Sequence, residues 1–225
     1  MTARQIALVF TGDEYADGGQ IIADVLKKNN IKASFFLTGN FYRKKEFSPI
    51  IKRLKAENHY LGPHSDKHLL YADWKNRDSL LVTKKKFVKD LDKNYKRMAA
   101  FNIKKEDALY FIPPYEWYNK SISEWTKAMD VVLVNFSPGT RSTADYTYPG
   151  MNGYRSSEEI YQSIMAYEKQ DTHGLNGFIL LTHIGTDARR TDKFYNKLDS
   201  LINALTNNGF SFFTIDQLLK NSDPN

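Results

Sequence analysis

A seven-fold recurrence of short apolar runs, the first six each followed by residues at helical spacing, constrains this chain more than any other feature. The runs occupy residues 6–10, 33–37, 60–61, 109–112, 131–134, 177–182 and 211–214. After the first, Ile21, Ile22, Val25 and Leu26 recur as one helix face. Ser48 and Pro49 read as an N-cap and first-turn proline for a helix carrying Ile50, Ile51 and Leu54. A long helix from about residue 83 places Phe87, Leu91, Tyr95 and Met98 on one side. Ile122, Trp125 and Met129 mark the next helix, and Ser156 with Glu159 forms a capping box ahead of Ile160, Ile164 and Tyr167. Phe194, Leu198, Leu201 and Leu205 line a last helix that stops near Gly209. Strands alternating with helices imply an α/β fold with a mostly parallel sheet.

The length, 225 residues, suits one large domain, and no linker or low-complexity tract divides it. Residues 136–155 lack clear periodicity and read as a functional loop rather than a hinge. No Cys is present, which leaves any metal site to His, Asp and Glu. The net charge of +6 is scattered along the chain, which argues against a nucleic-acid partner; the run Lys84-Lys85-Lys86 reads as the solvated face of a helix. No apolar run is long enough to span a bilayer. The start of the chain does not resemble a signal peptide, so the expectation is either a cytoplasmic protein or one whose leader was removed.

In parallel α/β folds the ligand site lies beyond the carboxyl ends of the strands. Asp13-Glu14, His64 and His68, Pro114-Tyr115, Asn135 and His183 all follow an apolar run directly. The spacing His64-Ser-Asp-Lys-His68 would put two imidazoles on one side of a helical segment, suited to one metal ion, although surface histidines share that spacing. Asp13-Glu14 alone reads equally as a solvated turn, and His183 alone as a bonded residue at a core edge. Taken together on one rim, a carboxylate and two imidazoles make an open three-ligand site of the catalytic kind. A further carboxylate and a further His would then supply the base and acid of an amide or ester hydrolase.

The ordered segments Phe10-Thr-Gly-Asp-Glu14, His64-Ser-Asp-Lys-His68, Ile112-Pro-Pro-Tyr115 and Ile179-Leu-Leu-Thr-His183 resemble the polysaccharide deacetylase family, also called the NodB homology domain or carbohydrate esterase family 4. The resemblance spans nearly the whole chain and implies a single-domain, distorted (β/α)7 barrel over residues 1–225, in agreement with the seven alternations. It implies removal of acetyl groups from N-acetylglucosamine polymers, peptidoglycan or O-acetylated xylan, with one divalent metal: zinc first, cobalt or nickel as alternatives. By motif, Asp13 matches the catalytic base, Glu14, His64 and His68 the metal ligands, the Tyr115 N–H the oxyanion donor, and His183 the general acid. Leu181 matches the lining of the acetyl-methyl pocket, Pro114, Asn135 and Asp145 complete the expected surroundings of the substrate, and Trp117 and Tyr118 read equally as sugar-stacking platforms or as ordinary core packing. Trp74 reads as core or surface support rather than a sugar platform. The implied reaction is attack by metal-activated water, deprotonated by Asp13, with His183 protonating the leaving group.

The chain departs from the family pattern in three places. Glu14 replaces an Asp and Gly12 an aromatic. Ile112 stands where the family carries an Arg that pairs with the base, with Lys67, Arg141 and Arg155 as candidate substitutes. The Asp-Trp pair that supports the acid His has no clear counterpart, Asp145-Tyr146 or Asn135 being the candidates. A catalytically weakened carbohydrate-binding module of the same fold is therefore the alternative function, and a metal-free polyanion-binding protein a third. The resemblance also implies an extracellular or periplasmic setting and leaves open an association with a glycoside hydrolase.

Overall fold

The computed structural model describes residues 4–222; residues 1–3, on which part of the leader reading falls, lie outside it. Seven strands alternate with helices: β1 (Arg4–Gly12), β2 (Ser34–Leu37), β3 (Tyr60–Pro63), β4 (Tyr110–Phe111), β5 (Val132–Leu133), β6 (Phe178–His183) and β7 (Phe210–Phe213). The helices are α1 (Gly19–Lys28), α2 (Gly39–Arg43), α3 (Ser48–Ala56), α4 (Lys84–Ala99), α5 (Lys120–Lys127), α6 (Ser157–Gln170), α7 (Leu198–Asn207) and α8 (Ile215–Ser222). Every apolar run of the sequence becomes a strand.

All strand pairs are parallel. One edge of β1 pairs with β6 from Ile6 to Thr11; the other is shared, with β7 along Arg4–Ala7 and β2 along Val9–Gly12. β3 continues from β2, while β4 and β5 form a separate two-stranded sheet. The barrel is thus distorted, its two arcs joined where the Tyr60 hydroxyl accepts from Tyr110 N–H at 2.9 Å, the Ser137 hydroxyl accepts from Ile179 N–H at 3.0 Å, and Ser137 N–H donates to the Ile179 carbonyl at 3.0 Å.

The pleat divides the core in two. Ile6, Leu8 and Phe10 of β1 face the helix layer, where they join Ile22, Leu26, Ile51 and Leu54. Ala7 and Val9 point inward to a smaller cluster with Phe36, Ile112, Val134 and Leu181, completed by Ile215 and Leu218 of α8. Helix α4 buries Phe87, Leu91, Tyr95 and Met98 and leaves Lys84, Lys85 and Lys86 in solvent. The Ser156–Glu159 capping box opens α6. Several local expectations change: Ile21 is exposed rather than on the buried face of α1, and Phe194 lies in a 3-10 turn ahead of α7. Ser48 is the first residue of α3, reached through a preceding 3-10 turn, and caps nothing. Met129 lies beyond α5, and α8 follows β7 where the periodicity had given no helix.

Candidate active site

Strand register assembles the site. Gly12 pairs with Leu37 and Leu37 with Pro63, so Asp13, Thr38 and His64 leave three adjacent strands at one level. On the other edge of β1, His183 is aligned with Thr11. A cleft of about 690 Å³ opens there, lined by Asp13, Glu14, His64, His68, Glu116 and His183, with the rings of Tyr15, Trp74, Tyr115, Tyr146 and Tyr148 around them.

The two histidines meet without a helix. Residues 64–68 are irregular, with Ser65 and His68 in the left-handed region at φ 72° and 52°, and the imidazole centroids stand 5.1 Å apart. Helix α4 holds this loop: Asn94 accepts from His64 N–H at 2.8 Å, and Asp90 accepts from Asp66 N–H, Lys67 N–H and the Tyr71 hydroxyl. Both residues are buried on the apolar stripe of α4, four apart, and that polar pair on an apolar face was the available sequence signal. His64 Nδ1 lies 2.8 Å from the Ile112 carbonyl, which only accepts, so Nδ1 carries the proton and Nε2 keeps its lone pair. Burial, and then the neighbouring imidazole, push His64 well below the ordinary histidine range; burial lowers His68 as well. A neutral imidazole with one ring nitrogen anchored on a carbonyl, as His64 has, is what a divalent cation requires of such a ligand.

Glu14 lies on the same cleft, exposed, but among the described residues no three His, Cys, Asp or Glu side chains converge on one point. The donor set fits a cation through two imidazoles, and a carboxylate must move to complete it. Asp13 Oδ1 is already engaged, accepting from Thr38 Oγ1 at 2.6 Å and Asn40 Nδ2 at 3.0 Å. None of Lys67, Arg141 and Arg155 bonds to it: Lys67 and Arg141 are exposed, and the Arg155 guanidinium donates to the Tyr154 carbonyl.

Loop 136–155 delivers Asp145. Its carboxylate accepts from His183 Nδ1 at 2.6 Å and from His183 N–H at 2.8 Å, so ring and backbone are held by one residue. Burial works against the imidazolium, but Asp145 and the nearby Glu116 outweigh it and hold His183 above the usual histidine value. Asn135 does not share this role; it donates to the Glu116 carbonyl and braces the 114–116 turn.

That turn is strained at two consecutive residues, Tyr115 and Glu116, with φ of 61° and 53°. Four other non-glycine residues at positive φ, Asn30, Asn58, Asn102 and Asp130, follow helix ends, where Asn and Asp tolerate this conformation. Ser65, His68, Tyr115 and Glu116 have no such excuse, and all four sit at or beside the cleft, the pattern of strain retained for function. The turn is closed by Glu116 N–H to Pro113 and Trp117 N–H to Pro114, bonds that do not use the Tyr115 N–H. Sequence reasoning missed Glu116, whose carboxyl burial pushes up to about 7, opposed by His183 and reinforced by Asp145.

Several expected substrate contacts lie elsewhere. Leu181 is fully buried in the inner cluster, and Pro114 is buried beneath the turn. Trp117 donates to the Asp73 carbonyl and, with Tyr118, packs against Arg77. Trp74 is the opposite case: it is 55% exposed on the cleft, edge-on to Tyr115 and 5.4 Å from Trp117. An aromatic between charged neighbours in an irregular loop has no periodicity to betray its direction.

A family model for polysaccharide deacetylase matches residues 2–134. The chain is 27% identical over 198 residues to a peptidoglycan-N-acetylmuramic acid deacetylase of Bacillus subtilis, covering 88% of this chain and 65% of that protein. It is 24% identical to a peptidoglycan-N-acetylglucosamine deacetylase of Bacillus cereus, over 97% of this chain and 69% of that one. Among solved structures, the carbohydrate esterase family 4 domain of a multidomain xylanase from the hindgut metagenome of Trinervitermes trinervoides superposes with a TM-score of 0.73 at 19% identity, over 100% of this chain and 93% of that one. A Bacillus anthracis protein described as a family 4 pseudoenzyme does so with the same TM-score at 19% identity, over 97% and 66%. The fold is that of these neighbours, and with the family match over more than half its length the chain belongs to the polysaccharide deacetylase family.

Proposed function

We propose that this chain is a hydrolase that removes acetyl groups from an acetylated polysaccharide, with polymers of acetylated hexosamine as first substrate and O-acetylated xylan as second. The single observation that carries this reading is the arrangement on one cleft of a carboxylate with two fixed donors, a pair of neutral imidazoles and a carboxylate-paired histidine. His64 and His68 would hold a divalent cation, zinc first, with Glu14 as the carboxylate that joins them. When bound, the cation would polarise the acetyl carbonyl and lower the pKa of water.

The remaining chemistry belongs to the chain. Asp13 takes the proton of the attacking water at its cleft-facing oxygen, since Oδ1 is occupied by Thr38 and Asn40. The Tyr115 N–H donates to the oxygen on which negative charge develops. Asp145 keeps the Nδ1 proton of His183 in place, so the proton for the leaving nitrogen or oxygen comes from Nε2. Trp74, Tyr115 and Tyr146, all exposed, offer flat faces to sugar rings. Such polymers place the protein's work outside the cytoplasm.

Acetate release from peptidoglycan, N-acetylglucosamine oligomers and acetylated xylan, with and without chelator, tests this. Release that stops with chelator and in Asp13→Ala is expected from at least one substrate. The alternative, a glycan-binding module without turnover, is favoured by Ile112 standing buried where the resemblance expects an Arg; glycan binding without acetate from any substrate would select it.

A further inference from the structure

An orienting cation for Asp13 cannot come from position 112, because Ile112 is fully buried among Val9, Phe36 and Leu181. The side chains that bond Asp13 come instead from α2 and its N-cap. Thr38 caps this helix, accepting from Phe41 N–H at 3.1 Å, and Asn40 and Arg43 fall three apart on one side of it. An amide side chain can present either its nitrogen or its oxygen. Asn40 presents nitrogen to Asp13 because its Oδ1 accepts from Arg43 Nη2, and a guanidinium can only donate. Arg43 is itself fixed: Nη1 donates to Asp66 Oδ1 at 2.6 Å and Nη2 to the Asp66 carbonyl at 3.0 Å, with the Asp66 side chain 2% exposed. Gly39 permits this approach, since a Cβ there would lie 1.9 Å from Asp66 Oδ1.

We propose that Arg43 is a positioning residue that acts through Asn40 to hold the Asp13 carboxylate in its working orientation, in place of an arginine at position 112. The relay rests on Asp13 being the base. Because Arg43 touches Asp13 only through Asn40, the two should fail as a unit.

Four proteins test it: wild type, Asn40→Ala, Arg43→Lys and the double variant. Lysine keeps the charge against Asp66 but has one donor group where arginine spans Asn40 and Asp66 with two. Each single variant is expected to lower kcat by about tenfold or more with KM within twofold, a misaligned base being felt in the chemical step. The double variant is expected to be no slower than Asn40→Ala. Multiplying effects, or an Arg43→Lys kcat within twofold of wild type, would overturn the relay. The side-chain amide resonances of Asn40, assigned by their loss in Asn40→Ala, give a readout that needs no turnover. They are expected to shift in both Arg43→Lys and Asp13→Ala. If wild type releases no acetate, the functional reading fails, and the resonances still decide: unmoved in Arg43→Lys, they overturn the relay.

Discussion

Glu116→Gln should stabilise the protein against unfolding at pH 8 and do little at pH 4.5. Glu116 lies on the cleft beside His183 and Asp145, and burial lifts its carboxyl from 4.5 to about 7. The folded protein therefore holds this proton more tightly than the unfolded chain. Stability is full below the unfolded value, falls as pH climbs from about 4.5 to about 7, and stays lower above it. At about 1.4 kcal/mol per pH unit the rise corresponds to about 3.5 kcal/mol. This is an upper bound, because Glu116 keeps some contact with solvent and the His183 imidazolium offsets part of the cost. Glutamine fills the same volume without the charge. Urea unfolding of metal-free wild type and Glu116→Gln at both pH values, with the m-value checked, reads the difference directly. Their stability gap is expected to widen by about 2–3 kcal/mol between pH 4.5 and pH 8. A gap that stays constant would refute the account of Glu116 as a buried acid.

Asp145→Asn removes the charge that outweighs burial at His183; the imidazole is expected to titrate lower by NMR, and kcat to fall about a hundredfold with little change in KM. His64→Ala and His68→Ala are each expected to weaken zinc binding by more than tenfold in calorimetry, while Glu14→Gln separates a joining carboxylate from a bystander. Phe35→Ala empties a fully buried position stacked 5.0 Å from Phe10 and is expected to cost about 3–5 kcal/mol in denaturant unfolding.

What could be read from the sequence follows from periodicity and strand ends. Asp13, His64 and His183 were legible because each lies at or just past the end of an apolar run, and parallel register brings strand ends together. Asp145 was legible only as one of two candidates, because a 20-residue stretch without periodicity hides which polar residue folds back onto the rim. The convergence of His64 and His68 was foreseen but not its means, which is a left-handed backbone rather than a helical turn. Arg43 escaped notice because it acts through Asn40, and Glu116 because a carboxylate after Pro-Pro-Tyr looks solvated until the strained turn brings it under cover. Leu181 and Trp74 exchange their expected places for a related reason: motif position says which strand end a residue occupies, and pleat or loop geometry says which way it faces.

The division of the barrel into two arcs predicts separate opening equilibria for its halves. Asp13 and His183 ride on the larger sheet, whereas the Tyr115–Glu116 turn follows β4. The short arc is held by bonds such as Val132 N–H to Leu109 at 2.8 Å and Val134 N–H to Phe111 at 2.9 Å. In native-state hydrogen exchange these two amides should be released through a local fluctuation, well before those of Leu8 and Val9. One wall of the cleft would then move while Asp13 and His183 stay at fixed separation on the other.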